Sequence, residues 1–156
     1  MLYGEEGDEP DQVILAAGWS LRSRIDKGYR AGYSYWDEVQ STQYYATISL
    51  DEGVRLELAS DAKWRRVQRL AVKVLTGDRF DPACNPMVNN PWAVFFANSK
   101  SQAQRDAYEV LLNTHPDPAN PWVGEGYWGK IRGNGDNWLY YYGPPPGKDH
   151  NPIALP

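Results

Sequence analysis

The chain has 156 residues, a formal net charge of −4 and a hydrophobic content of 42%, which is typical of one globular domain. The negative charge argues against nucleic acid as a partner, because proteins that bind it usually present a basic face to the phosphates. No run approaches the roughly 20 apolar residues of a membrane span, and the acidic first ten residues lack the apolar core of a signal peptide. We therefore expect synthesis in the cytoplasm and no membrane partner.

Two amphipathic helices are predicted in the first half of the chain. The first covers about residues 11–27, after Pro10 and before Gly28, and the second runs from Trp64 to Gly77 with Ser60 or Asp61 as its cap. Apolar residues recur at helical spacing in both, at Val13, Ile14, Ala17, Leu21 and Ile25 and at Trp64, Val67, Leu70, Ala71, Val74 and Leu75. The opposite face of the second helix is basic and is predicted to face solvent.

The sequence pattern also predicts one more helix and two extended segments. Ser99 and Gln102 have the spacing of a capping box, so a third helix should run to about Asn113. Its inward positions are predicted to be Ala103, Ala107, Val110 and Leu111. Alternation over residues 54–58 and the aromatic run Trp138–Tyr142 predict strands. The expected fold class is α+β, mostly helical, with a small β element and a long loop-rich C-terminal region.

The residue inventory limits the possible chemistry. His115 and His150 lie 35 residues apart in Pro-rich segments and match no metal motif, so neither a metal nor another cofactor is expected. No G-x-S-x-G nucleophile motif is present. Cys84 and His115 could form a Cys/His amidase, although Cys84 lies in a loop rather than at a helix start. Carboxylates are the remaining candidates, and the segment from Tyr3 to Pro10 contains four of them.

Aromatic residues make up 13% of the chain, including seven Trp and eleven Tyr. They fill cores first, but they also suit a carbohydrate cleft, where the apolar faces of sugar rings lie against aromatic rings.

In its N-terminal part the sequence resembles the cell-wall hydrolase family that includes the spore-cortex-lytic enzymes. That family begins with Tyr-Gly-Glu, three variable residues and Glu-Pro, which stand here as Tyr3-Gly4-Glu5 and Glu9-Pro10. The later elements follow in the same order over about residues 3–98. They are Ala16 and Arg24 in the first helix, the segment Gln43-Tyr44-Tyr45-Ala46, the helix from Trp64 to Gly77, and the segment Ala93-Val94-Phe95-Phe96-Ala97-Asn98.

The resemblance implies a lysozyme-like domain over residues 1–142, followed by a Pro/Gly-rich tail over 143–156. It implies cleavage of the glycan strands of peptidoglycan, by a lytic transglycosylase or a muramidase-type glycosidase, with Glu5 as the catalytic acid/base. It also implies that Gln43, Tyr44, Tyr45, Phe96 and Asn98 contact the substrate. A hydrolytic version would need a second carboxylate, for which Glu6, Asp8 and Glu9 are candidates. Arg24 is expected to form a structural pair with an acid.

The expected biological context is a monomeric phage lysin that acts on the bacterial cell wall, either free or associated with the virion. Two other hypotheses remain open. One is a non-enzymatic glycan-binding or virion structural protein that keeps the fold with a degraded site. The other is the amidase that would use Cys84 and His115.

Overall fold

The structure, a computed structural model, describes residues 2, 6–26, 61–87, 90–99, 101–113 and 127–143. The described elements are three helices and a three-stranded sheet, in the order α1 (Asp11–Asp26), α2 (Ala62–Thr76), β1 (Phe95–Ser99), α3 (Gln102–Asn113), β2 (Tyr127–Arg132) and β3 (Trp138–Gly143). About half of the described residues are helical, so the fold class is α+β. The strand predicted over 54–58 and the tail from residue 144 lie outside the described residues.

Helix α1 lies at the centre of the hydrophobic core. It begins after Pro10, whose carbonyl accepts hydrogen bonds from the backbone N–H groups of Val13 (2.9 Å) and Ile14 (3.2 Å). Eleven of its residues are buried, and they lie on more than one face of the helix. A helix buried in this way must be covered by other elements on several sides. The sequence prediction of this helix is confirmed to within one residue.

Helix α2 packs on one side of α1, and its limits are set by the predicted residues. Asp61 caps it by accepting hydrogen bonds from the N–H groups of Lys63 (2.7 Å) and Trp64 (3.3 Å), which satisfies donors that the first turn leaves unpaired. Gly77 follows its last residue. The two helices approach closely at Gly18, where an added Cβ would lie 2.9 Å from a methyl group of Val74.

The sheet is antiparallel, with β3 between β1 and β2. In one cross-strand row Phe95 and Trp128 flank Tyr142. Because side chains alternate along a strand, the sheet has two distinct faces. The inward face packs on the core that surrounds α1 and carries Phe96, Ile131, Leu139 and Tyr141. The predicted strand Trp138–Tyr142 is confirmed as β3, which extends by one residue into the segment predicted as a tail.

Helix α3 covers part of the outer face of the sheet. The ring of Tyr108 stacks on that of Tyr140, with centroids 4.9 Å apart and planes 24° apart. Glu109 accepts hydrogen bonds from the Tyr140 hydroxyl (2.8 Å) and the Lys130 ammonium (2.7 Å). These contacts hold the helix to the sheet through aromatic and charged groups rather than through a continuous apolar stripe.

Two sequence predictions for α3 are wrong. Ser99 is the last residue of β1, and its hydroxyl bonds to the backbone of Trp138. The capping hydroxyl belongs instead to Ser101, which accepts a hydrogen bond from the N–H of Gln104 (3.3 Å). Ala103, Ala107 and Val110, which were predicted to face inward, are exposed. Tyr140 and Lys130 lie on the face of the sheet that α3 covers. Their contacts with Tyr108 and Glu109 place that side of the helix against the sheet.

Among the described residues, no helix combines the length and the apolar composition that crossing a bilayer requires.

Candidate active site

The predicted site residues divide into two groups. Glu5, Gln43, Tyr44 and Tyr45 lie outside the described residues, whereas Phe96 and Asn98 lie on β1. The described contacts that bear on the prediction are those of Phe96 and Asn98 and those of the acidic residues that follow Glu5 in the sequence.

Glu6 lies in the interior of the domain, next to strand β1. Only 1% of its surface is exposed, and its Oε1 accepts a hydrogen bond of 2.5 Å from the Nδ2 of Asn98, 92 residues away. Asn98 pairs with Leu139 of β3, so it belongs to the inward face of the sheet. Moving a carboxylate out of water is costly unless polar partners compensate. The Asn98 amide is one such partner.

Glu9 holds the turn that joins β2 to β3. Its Oε2 accepts a hydrogen bond from the backbone N–H of Asn134 (2.7 Å), and its Oε1 accepts one from the Nδ2 of Asn137 (3.2 Å). The side-chain Nδ2 of Asn134 also donates a hydrogen bond to the backbone carbonyl of Asp8. Gly133 allows this approach, because an added Cβ would lie 2.5 Å from the Glu9 Oε2. The acidic segment is thereby tied to the end of the hairpin.

Asp8 of this segment and Asp11, the first residue of α1, bind α2. Asp8 pairs with Lys63 (2.8 Å) and Asp11 pairs with Arg66 (2.6 Å), while Arg66 also donates to the carbonyl of Glu9 (2.7 Å). The basic face of α2, predicted to be simply solvated, therefore holds the N-terminal segment at two positions. Local patterns could not show this, because the partners are more than 50 residues apart in sequence.

Phe96 and Arg24 contribute to packing. Phe96 is half-buried and packs against the hydrophobic core, on the face of the sheet that α1 covers. Arg24 is 5% exposed, and its Nε donates a hydrogen bond to the carbonyl of Val94, just before β1. Arg24 thus joins the last turn of α1 to the strand that carries Asn98, which is a structural role.

Cys84 lies in a turn that begins at Asp81. Its N–H donates to the Asp81 carbonyl (2.9 Å), and its thiol donates to the Asp81 Oδ2 at 3.3 Å. Its own carbonyl accepts a hydrogen bond from the indole Nε1 of Trp19 (2.7 Å). These contacts make the turn part of the core. The histidines that could pair with Cys84 lie outside the described residues.

Within the described ranges, no group of three or more His, Cys, Asp or Glu side chains could hold a metal ion. The fold and these contacts define a small α+β domain whose acidic N-terminal segment is attached to both the sheet and α2. No family model, no curated protein sequence and no solved structure matches the chain.

Sequence reasoning missed the buried environment of Glu6 and the partners of Glu9. The run Gly133-Asn134-Gly135-Asp136-Asn137 is a recognisable turn signal. It indicates a turn with amide donors but not which acid they bind, because that choice depends on the tertiary fold.

Proposed function

We propose that this protein cleaves the glycan strands of peptidoglycan, with Glu5 as the acid/base, in the manner of a lytic transglycosylase. The observation that carries the proposal is the hydrogen bond between Glu6 and Asn98. It joins Glu6, the residue that directly follows the Tyr3-Gly4-Glu5 motif, to Asn98 on β1. The motif and the segment that contains Asn98 are the first and last of the segments in which the chain resembles the cell-wall hydrolases.

The reaction uses one carboxyl group twice, first as a proton donor and then as a proton acceptor. Glu5, protonated, gives its proton to the glycosidic oxygen as the bond between that oxygen and the sugar C1 breaks and an oxocarbenium-like state develops. The resulting Glu5 carboxylate then accepts the proton of the C6 hydroxyl of the same sugar, whose oxygen bonds to C1. The products are a shortened glycan and a 1,6-anhydro sugar end. No water is consumed, and Glu5 returns to its protonated form.

The contacts of the neighbouring acids favour this reaction over hydrolysis. An inverting hydrolase needs a second carboxylate that activates water. Among the candidates near Glu5, Glu6 binds Asn98, Asp8 binds Lys63 and Glu9 binds the β2–β3 turn. Each of these carboxylates has a protein partner, and Asp8, with a side chain that is 88% exposed, extends into solvent. The transglycosylase reaction uses none of them.

The substrate contacts proposed from the resemblance are made by amides that can bind sugar hydroxyls and by rings that can stack on sugar faces. The residues are Gln43, Tyr44, Tyr45, Phe96 and Asn98. Of these residues, Phe96 also packs against the hydrophobic core, and Asn98 also donates a hydrogen bond to Glu6.

The test is incubation of the purified protein with purified peptidoglycan sacculi, followed by mass analysis of the soluble products. Wild type should release muropeptides with 1,6-anhydro ends, which are lighter than hydrolysis products by one water. Glu5→Gln should abolish their release, because the amide cannot donate the proton. Asp11→Asn is the control: it removes a nearby acid, at the first position of α1, that pairs on the surface with Arg66, and it should retain activity.

Other outcomes separate the remaining hypotheses. Products that carry one more water would identify a hydrolase. Activity that is lost in Cys84→Ala and retained in Glu5→Gln would identify the amidase. Binding to sacculi with no product would overturn the enzymatic proposal in favour of a glycan-binding protein.

A further inference from the structure

The turn between β2 and β3 presents the dipeptide Asn134-Gly135 at the surface. Both residues are exposed, and Gly135 has a φ of 58°, a left-handed conformation that glycine adopts without steric cost. A Cβ added to Gly135 would meet no atom within 4 Å. Among the described residues, no hydrogen bond uses the Gly135 N–H. The backbone nitrogen of Gly135 is therefore accessible to the side chain that precedes it.

Asparagine is among the thermally labile residues of proteins. It loses its amide when the backbone nitrogen of the following residue attacks the side-chain Cγ. A glycine in the following position has no side chain, so it leaves this nitrogen least hindered.

The side chain of Asn134 is also one of the contacts that attach the acidic N-terminal segment to the sheet. Its Nδ2 donates a hydrogen bond to the backbone carbonyl of Asp8. The backbone N–H of the same residue donates to the Oε2 of Glu9 (2.7 Å). A chemical change in the Asn134 side chain therefore acts directly on this attachment.

We propose that Asn134 is a site of spontaneous deamidation, and that the reaction loosens the segment Asp8-Glu9 from the β2–β3 hairpin. The Gly135 nitrogen gives its proton to solvent and bonds to the Cγ of Asn134. The bond from Cγ to Nδ2 breaks, and Nδ2 takes a proton from solvent and leaves as ammonia. Water then opens the resulting succinimide at either carbonyl carbon, so that aspartate or isoaspartate stands at position 134. One water is consumed and one ammonia is released.

The product cannot keep the contact with Asp8. An ionised carboxylate only accepts hydrogen bonds, so it cannot donate to the Asp8 carbonyl, and its charge lies close to the carboxylate of Glu9. Isoaspartate also adds a methylene group to the backbone of the turn, which the hydrogen bond from the Gly133 N–H to the Asn137 carbonyl (2.9 Å) closes. These contacts lie near the surface, so their loss should open the segment locally and leave the domain folded.

The first test follows the reaction in the full chain, and it does not depend on the function proposed above. Purified protein is incubated at mildly alkaline pH and then digested with trypsin. Cleavage after Arg132 releases one peptide that contains both Asn134 and Asn137, and fragment masses locate any replacement of NH by O. Asn137 is the internal control, because it is half-buried, precedes the bulky Trp138 and donates from its Nδ2 to Glu9 (3.2 Å).

The replacement should accumulate at Asn134 as both aspartate and isoaspartate, while Asn137 keeps its amide. Its rate should be no more than roughly 10-fold below that of a synthetic peptide of residues 131–137, because about one net hydrogen bond must open first. An Asn134 that stays intact after the peptide has been converted would overturn the proposed site. A product without isoaspartate would overturn the succinimide route.

The second test measures the loosening by amide hydrogen exchange at Glu9, whose N–H donates to the Glu6 carbonyl (2.9 Å). Asn134→Asp carries the aspartate product from the start, and exchange at Glu9 should be roughly 3- to 10-fold faster in this variant. Exchange within α2 should not change. Asn113→Asp is the matched control, because it places the same charge at the exposed end of α3, and it should leave Glu9 as in wild type.

If Asn134→Asp does not fold, the deamidated fraction of aged wild type, separated by its extra negative charge, provides the same comparison with the intact fraction. Equal exchange at Glu9 in the intact and deamidated forms would overturn the loosening of the segment.

Discussion

The guanidinium of Arg79 lies over the indole ring of Trp92, with its central carbon 3.8 Å from the ring centroid. The same group donates hydrogen bonds to the hydroxyl of Ser23 (2.5 Å), the carboxylate of Asp26 (2.5 Å) and the carbonyl of Pro91 (2.9 Å). Only 7% of Arg79 is exposed. One buried cation therefore joins the end of α1 to the segment that leads into β1.

Replacing Arg79 with lysine should lower the free energy of unfolding by about 2–3 kcal/mol, because an ammonium cannot reproduce the planar fork and leaves buried acceptors without a donor. Urea unfolding followed by tryptophan fluorescence measures this change. Arg69→Lys is the control, since Arg69 is exposed on α2, and its effect should stay within about 0.5 kcal/mol. Equal effects of the two substitutions would contradict the structural role of Arg79.

Gly18 determines how closely α1 and α2 approach each other. Alanine at this position would gain about 1 kcal/mol of helix propensity, but its Cβ would lie 2.9 Å from a methyl group of Val74, a stiff side chain in the core. Overpacking of this kind costs about 1–3 kcal/mol. We therefore expect Gly18→Ala to be destabilising by about 1 kcal/mol overall.

A double-mutant cycle with Val74→Ala tests the cause. If the clash is responsible, the double variant should be more stable than the sum of the single effects predicts, by about 1 kcal/mol or more. Additive effects, measured by urea unfolding of the four proteins, would show that the methyl group of Val74 is not what excludes a side chain at position 18.

Gly133→Ala should displace the carboxylate of Glu9 from the β2–β3 turn. An added Cβ would lie 2.5 Å from the Glu9 Oε2, and the displaced carboxylate would lose its hydrogen bonds with Asn134 and Asn137. Because these hydrogen bonds lie at or near the surface, their loss should cost only about 1 kcal/mol. In a Glu9→Ala background, where no carboxylate is present, the same substitution should cost much less. Equal costs in both backgrounds, measured by thermal unfolding, would disprove the contact.

The contact between α3 and the sheet should depend on pH. The hydrogen bonds from Lys130 and Tyr140 lower the pKa of Glu109 below its ordinary value of 4.5. Since the folded-state pKa is the lower one, the stabilisation is complete above the unfolded pKa and is lost as the pH falls through the folded pKa. Glu109 is partly exposed, and solvent screening limits the contribution to about 1 kcal/mol or less.

The difference in unfolding free energy between wild type and Glu109→Gln should therefore be largest near neutral pH and shrink as the pH falls below about 4. Denaturant titrations at several pH values measure it. A difference that stays constant from neutral to acidic pH would mean that the ionised form of Glu109 does not stabilise the fold.

The parts of the fold that could be predicted are those with strong local signals. The apolar periodicity of α1 and α2 and the cap at Asp61 are local, and both helices are where the sequence predicts them. Strand β2 was not predicted as an element. It contains Gly129, Lys130 and Arg132, and its extended form depends on pairing with β3.

The surroundings of the candidate site depend even more on tertiary contacts. The sequence draws attention to a cluster of acids at the N-terminus, but not to which of them is buried. Glu6 differs from Asp8 in exposure because Asn98 faces it from a strand 92 residues later, while Asp8 faces a helix at the surface. The role predicted for Glu5 stays a prediction, since it lies outside the described residues.

The order of strands in the sheet has a consequence for folding during synthesis. The middle strand, β3, is the last of the three to be translated. Until the ribosome has released residues 138–143, neither edge strand has the partner that completes its hydrogen bonds. Helices α1 and α2 can form earlier, whereas β1, which carries Asn98, cannot pair until β3 has been translated. A nascent chain stopped before Trp138 would therefore expose both edge strands and the inward face of β1 at once, which makes such a fragment prone to aggregation.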